Sequence, residues 1–200
     1  MGIPSDIQCY RIMAKMAMLP NIVAHSIRVC QVATLLTENI NSNGHSLDLD
    51  LIRAAALLHD ITKTRSLQTS ENHAHTGALY LADRGYLEVS EIVAQHVNLD
   101  EFDPNGEPTV AEIVNYADKR ILHDQVVSLE ARLAYIQERY KCSAGELGNR
   151  LESMFLHARA LEEKLFNLIP YPATELNAHL DLKKFKHSLD QYSRVCDPVE

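Results

Sequence analysis

The sequence predicts an all-α fold, and three observations predict it. Apolar residues recur at three- and four-residue spacing along nearly the whole chain, the signature of amphipathic helices. Seven Gly and seven Pro in 200 residues leave little turn material for an all-β protein. The Pro, Asn and Gly that do occur fall between the periodic stretches, where helices start and stop. A chain of this length can bury one sizeable core.

A first helix is predicted over Asp6 to Met18. Pro20 and Asn21 restart the chain, with Asn21 as N-cap of a second helix carrying Ile22, Val29, Val32 and Leu36 and ending near Asn43 and Gly44. Asp48 or Asp50 caps a third helix that runs through "LIRAAALLHD". The polar stretch "ITKTRSLQTS" has little periodicity and is expected to be a connection. "HAHTGALYLADR" forms the next helix, stopped by Gly85, and "LEVSEIVAQHV" the one after it. After the loop "NLDEFDPNGEP", Pro108 and Thr109 open a helix over "TVAEIVNYADKRIL". Two longer helices, "VVSLEARLAYIQERY" and "AGELGNRLESMFLHARALEEKLFNLI", follow. Pro170 and Pro172 stop the second, and the amphipathic "DLKKFKHSLDQYSRV" closes the chain. This reading gives a core over residues 1–125 and a helical C-terminal extension over 126–200 packed on the same domain.

The formal net charge of −8 argues against a nucleic-acid backbone or an acidic membrane as partner. Cys9, Cys30, Cys142 and Cys196 are scattered, form no C-x-x-C and suit a reducing cytosol rather than a disulfide scaffold. The N-terminus lacks the pattern of a signal peptide, position six is Asp6 where a myristoylation start has Ser or Thr, and no apolar run nears the roughly 20 residues of a membrane span. A cytoplasmic location is therefore expected. Homo-oligomerisation, if it occurs, is expected through the C-terminal helices.

Ten histidines are the unusual feature. In "AAALLHDITK" a run of small and aliphatic residues ends in His59 and Asp60. Burying a charge is costly unless it is paired or bound to a metal. His25 precedes Val29, Val32 and Leu36 by four, seven and eleven residues, on the apolar stripe of its helix. Asp118 follows Val114 by four residues beside a buried stripe, and Lys119 and Arg120 point elsewhere. His73 opens its helix; His96 follows Ile92 by four residues on an inward side. Each alone reads more readily as a satisfied core or surface group. Together they are six candidate donors near inward faces, imidazoles and carboxylates without thiolate, which suit iron, manganese, zinc or nickel. A second pair, His123 and Asp124, lacks the aliphatic run and is expected on the surface or behind the ligands.

The order His25, His59-Asp60, Asp118 resembles the H…HD…D signature of the HD-domain superfamily of metal-dependent phosphohydrolases. "LLHDITK" is similar to its HDIG variant, with Thr62 where Gly stands, and "HAHTGALYL" to that variant's H-x-x-x-G-A segment, a register that selects His73 over His75. "VAQHV" is similar to the segment that supplies one more histidine, His96. The resemblance covers about residues 20 to 125; the C-terminal third carries no nameable motif.

The resemblance implies a helical bundle around one or two divalent transition metals, iron or manganese foremost, with zinc, nickel or magnesium as other options. His25, His59, Asp60 and Asp118 would hold the first metal. Asp60 would bridge to a second held by His73 and His96. Lys63 would lie near the substrate phosphate, with Arg28 and His75 as further substrate contacts, and Asp60 and Lys63 would be the catalytic residues. The activity implied is hydrolysis of a phosphate ester, of a nucleotide or related small molecule, by metal-activated hydroxide. The same ligands also serve di-iron oxygenases, and a metal-bound signalling or ligand-binding module without catalysis would carry them too.

Overall fold

The structure, a computed structural model, describes residues 2–140 and 145–196. Cys142 lies outside the described residues, so the reading of the cysteines is carried by Cys9 and Cys30, both buried and free, and the exposed free Cys196.

Among the described residues the chain forms helices α1 (Asp6–Lys15), α2 (Pro20–Ser42), α3 (Leu49–Leu58), α4 (Lys63–Thr69), α5 (His73–Ala82), α6 (Leu87–Ala94) and α7 (Val110–Lys119). A short hairpin follows, β1 (Ile121–Leu122) and β2 (Gln125–Val126). The chain continues through α8 (Leu129–Tyr140), α9 (Gly145–Phe166), a 3₁₀ turn over Ala173–His179 and α10 (Leu182–Cys196). The fold is all-α, as the periodicity requires. No helix among the described residues is long and apolar enough to cross a membrane.

The longest helix, α2, runs through the centre and packs against α3, α7, α10 and β1. Its inner stripe buries Val29, Val32, Leu36 and Ile40 completely. Each such side chain contributes about 1.5–3 kcal/mol by leaving water. On α3, Ala54, Ala55 and Ala56 are all buried, and their small side chains let α2 and α6 close over it. The α5–α6 hairpin covers the end of α3. Gly77 sits there in a tight space: a Cβ would lie 3.3 Å from Ile61 Cγ2 and 3.4 Å from Val93 Cγ1, so a side chain would have to push its neighbours aside.

Phe155, Leu161 and Leu165 of α9 enter the same hydrophobic core. Lys164 on α9 is buried. Its ammonium donates to both Glu112 carboxylate oxygens at 2.7 and 2.8 Å and to the carbonyls of Asp103 and Glu107. Arg120 donates to Glu162 Oε2 at 2.9 Å and to the carbonyls of Val127 and Ala173. Both cations tie the C-terminal helices to α7.

Several boundaries differ from the sequence reading, each for a local reason. The second helix is capped by Leu19 with Pro20 in its first turn, not by Asn21, because the fixed φ of Pro suits the first helical position. The first helix ends three residues earlier than predicted, with Ala17 at φ 49°. Asp48, not Asp50, caps α3 by accepting from the Leu51 amide. "KTRSLQT" is a helix, α4, and not a connection. It buries no residue and so shows no apolar period to read. The end of "TVAEIVNYADKRIL" leaves the helix at Arg120 and becomes β1.

Candidate metal centre

Five elements deliver the donors. His25 lies in the second turn of α2. His59 is the C-cap of α3, and Asp60 follows in the turn before α4. Asn72 caps α5 by accepting from the Ala74 and His75 amides, which places His73 at the first helical position. His96 comes two residues past the end of α6, in a turn and not on the helix as the sequence suggested. Asp118 occupies the last turn of α7.

The structure brings all six predicted donors together. His25 Nε2 is 2.9 Å from Asp118 Oδ1. His59 Nε2 is 3.5 Å from Asp60 Oδ2 and 3.6 Å from Asp118 Oδ1. Asp60 Oδ1, His73 Nε2 and His96 Nε2 form a triangle with sides of 3.2, 3.6 and 3.1 Å. Donor atoms of His25, His59 and Asp118 lie within 4.8 Å of one another, as do those of His59, Asp60 and His96.

These residues fit a metal on three grounds. First, Nδ1 of His25, His59 and His96 hydrogen-bonds to the carbonyls of His123, Ala56 and Val93 at 2.8, 2.8 and 2.7 Å. A carbonyl oxygen only accepts, so each Nδ1 carries a hydrogen, and the neutral form of such a ring has its Nε2 lone pair towards the cluster. Metal-ligating histidines are held in this way. Second, His59 Nε2 is buried without a hydrogen-bond partner, an omission that costs about 1–3 kcal/mol unless something binds there. Third, ligands about 2.0–2.2 Å from a shared ion stand roughly 3–3.5 Å apart, and the observed separations are of that size.

The electrostatics agree. Burial pushes the Asp60 carboxyl up, but His59, Lys63, His73 and His96 together overcome it and hold the group well below the usual carboxylate range. Asp118 is likewise pushed up by burial and drawn well below that range by His25 and His59. Burial opposes the charged form of His59, and Asp60 and Asp118 reverse this to raise it. At His96, burial wins and lowers the imidazole. Two ionised carboxylates among buried imidazoles make a negative site with lone pairs facing inward, which a cation neutralises.

His25, Asp60, His73, His96 and Asp118 of the cluster line a cavity of about 380 Å³. Lys63 stands at its edge, Nζ 3.3 Å from Asp60 Oδ1 and 3.2 Å from His73 Nε2. Thr62, where the motif variant has Gly, has an ordinary negative φ of −104°. Its buried hydroxyl donates to the His73 carbonyl at 2.9 Å.

Two predicted substrate contacts are corrected. Arg28 is buried and does not line the cavity. Its Nε donates to the Asp124 carbonyl at 2.8 Å, and its guanidinium lies 3.6 Å from the centre of the Phe185 ring on α10. One turn beyond His25, it faces the hairpin and α10, where it clamps the structure. His75 is exposed and outside the cavity lining, because α5 turns it away from His73. His123 reaches the cluster through its backbone carbonyl, and its side chain lines the cavity. Its φ of 57° bends the hairpin to bring that carbonyl to His25.

Sequence reasoning missed other residues of the cavity. Lys119, Arg132, Tyr135, Arg139, Met154 and Phe155 line it. Burial pushes the Lys119 ammonium down to about 8 against the pull of Asp118, with Arg132 adding repulsion. The signal for the α8 residues was present as a three- and four-residue spacing, but spacing does not say what a helix face meets.

The chain matches the HD domain family over residues 22–122, half of its length. It is also similar to an uncharacterised protein of Methanocaldococcus jannaschii, 32% identical over 75 residues, which cover 38% of this chain and 43% of that protein. The match thus spans less than half the length of this curated relative. No solved structure matches the chain. HD domains bind divalent metals, as the convergence of His25, His59, Asp60 and Asp118 leads one to expect. With a family match over half its length and an all-α architecture, the chain belongs to the HD domain family of metal-dependent phosphohydrolases.

Proposed function

We propose that the protein hydrolyses a phosphate ester of a nucleotide or a related small molecule, with one or two divalent metals, iron or manganese, as cofactor. The observation that carries this reading is the six-donor cluster beside a cavity that is also lined by cations. Its volume is within the range of small-molecule sites. When bound, the metal supplies Lewis-acid charge that lowers the pKa of a water and neutralises phosphoryl oxygens.

The chain's own residues do the rest. His25, His59 and His96 are held by backbone carbonyls in the tautomer that ligates. Asp60 and Asp118 remain ionised and orient the attacking water through their carboxylate oxygens. The Lys63 ammonium, beside Asp60 and His73, pairs with a phosphoryl oxygen and stabilises charge that grows as the ester bond breaks. Water adds to phosphorus, the P–O ester bond breaks, and the alcohol leaves with a proton. The net charge of −8 favours a small substrate over nucleic acid, and the free buried thiols of Cys9 and Cys30 favour the cytoplasm.

The test is reconstitution with manganese or iron(II), followed by a screen of phosphomonoesters and phosphodiesters, nucleotides included, for release of phosphate or alcohol. Turnover that requires metal and is lost in His59→Ala supports the reading. A protein that takes up metal but hydrolyses no phosphate ester overturns it.

A further inference from the structure

The cavity lining combines the donor cluster with a set of cations. The acidic residues that line it, Asp60 and Asp118, both belong to the metal cluster. Part of the lining comes from α8 and α9, outside the residues that match the family. On α8, Arg132, Tyr135, Ile136 and Arg139 follow at zero, three, four and seven residues, the spacing of one helix face, and that face borders the cavity.

Arg132 differs from the arginines of the fold that are held by a protein partner. Arg53 pairs with Asp6, Arg65 with Glu71, Arg120 with Glu162 and Arg159 with Glu130, while Arg28 donates to the Asp124 carbonyl. Among the described residues, the half-buried guanidinium of Arg132 has no acceptor, although it can donate five hydrogen bonds. Lys119 lines the same cavity, and its ammonium is anchored by Asn115 Oδ1 at 2.7 Å and the Val97 carbonyl at 3.1 Å, which fixes a second positive charge there. Arg139 Nη1 donates to the Tyr135 hydroxyl at 2.8 Å, which holds that side chain along the α8 face. Met154 and the buried Phe155 add apolar surface to the lining.

A guanidinium without a protein acceptor, beside a fixed ammonium, in a cavity whose carboxylates are committed elsewhere, is arranged for an anion. Planar guanidinium groups bind phosphate through paired N–H donors. We infer that α8 forms a second anion subsite around Arg132, which takes a non-reacting phosphate of a substrate carrying two phosphate groups. The inference rests on the phosphohydrolase reading above. It narrows the substrate to molecules with two phosphates separated by a spacer that reaches from the metal cluster to α8.

Calorimetric titration of the manganese-loaded protein tests it, with α,ω-alkane bisphosphates of three to six carbons against the matching alkyl monophosphates. At least one bisphosphate should bind about tenfold more tightly than its monophosphate, the gain of one charge-assisted contact. In Arg132→Gln that advantage should fall to about twofold or less, with monophosphate affinity kept. Arg132→Lys, which retains the charge, should recover part of it and so separates lost charge from lost fold. An advantage that survives in Arg132→Gln, or none at any length while monophosphates bind, overturns the subsite and leaves the hydrolase reading standing. Failure of both series to bind overturns the hydrolase reading and the subsite with it.

Discussion

The Thr62 hydroxyl donates to the His73 carbonyl at 2.9 Å and shares a hydrogen bond of 2.9 Å with Thr76 Oγ1. The turn that carries His59 and Asp60 is thereby tied to the head of α5, and the two histidines His59 and His73 are held in register. Thr62→Val keeps the shape and removes the donor, which leaves the His73 carbonyl with its helical partner alone and costs one net hydrogen bond, about 0.5–1.5 kcal/mol. A lower melting temperature and a lower metal-to-protein ratio are expected. Unchanged values for both would show that the hydroxyl only fills space.

The two His-Asp pairs separate by what each contributes. His59 offers a buried Nε2 without a partner, whereas His123 serves His25 through its backbone carbonyl, which any residue retains. His59→Ala should reduce phosphate release by more than about a hundredfold, as loss of a metal ligand does. His123→Asn, chosen because Asn tolerates the positive φ, should cost less than about tenfold. Steady-state rates of the two variants decide, and equal losses would mean that the ligand pair is misassigned.

His73 and His75 differ in direction by about 200° on one helix. His73 Nε2 is 3.2 Å from Asp60 Oδ1, while His75 is exposed. His73→Ala should lower bound metal and turnover together. His75→Ala should change neither. Metal analysis of both proteins settles the matter, and metal loss confined to the His75 variant would reverse the assignment.

Arg28 is a clamp between α2, the hairpin and α10. Removing it forfeits a hydrogen bond to the Asp124 carbonyl and a cation–π contact with Phe185, together about 2–4 kcal/mol for a buried pair. Arg28→Ala should lower the stability measured by denaturant unfolding by that amount and leave KM for the substrate unchanged. A raised KM with unaltered stability would return Arg28 to the substrate pocket.

Much of the site is legible in the order of residues along the chain. The stripe of Val29, Val32 and Leu36 locates His25, the aliphatic run ending at Leu58 locates His59 and Asp60, and Gly77 picks His73. Periodicity can do this because a buried helix face is specified locally, by spacing alone. The short elements are not legible. Helix α4 buries nothing, so it has no period, and the two-residue strands around His123 are too short to alternate.

What tertiary structure alone decided is which neighbour each face meets. Nothing in the spacing of Arg28 says that α10 would cover it, and nothing in α8 says that Arg132 would border the metal cavity from 72 residues beyond Asp60. Side-chain spacing fixes a direction about the axis of a helix. The packing of one helix on another, set by the shape of the whole core, turns that direction into a contact.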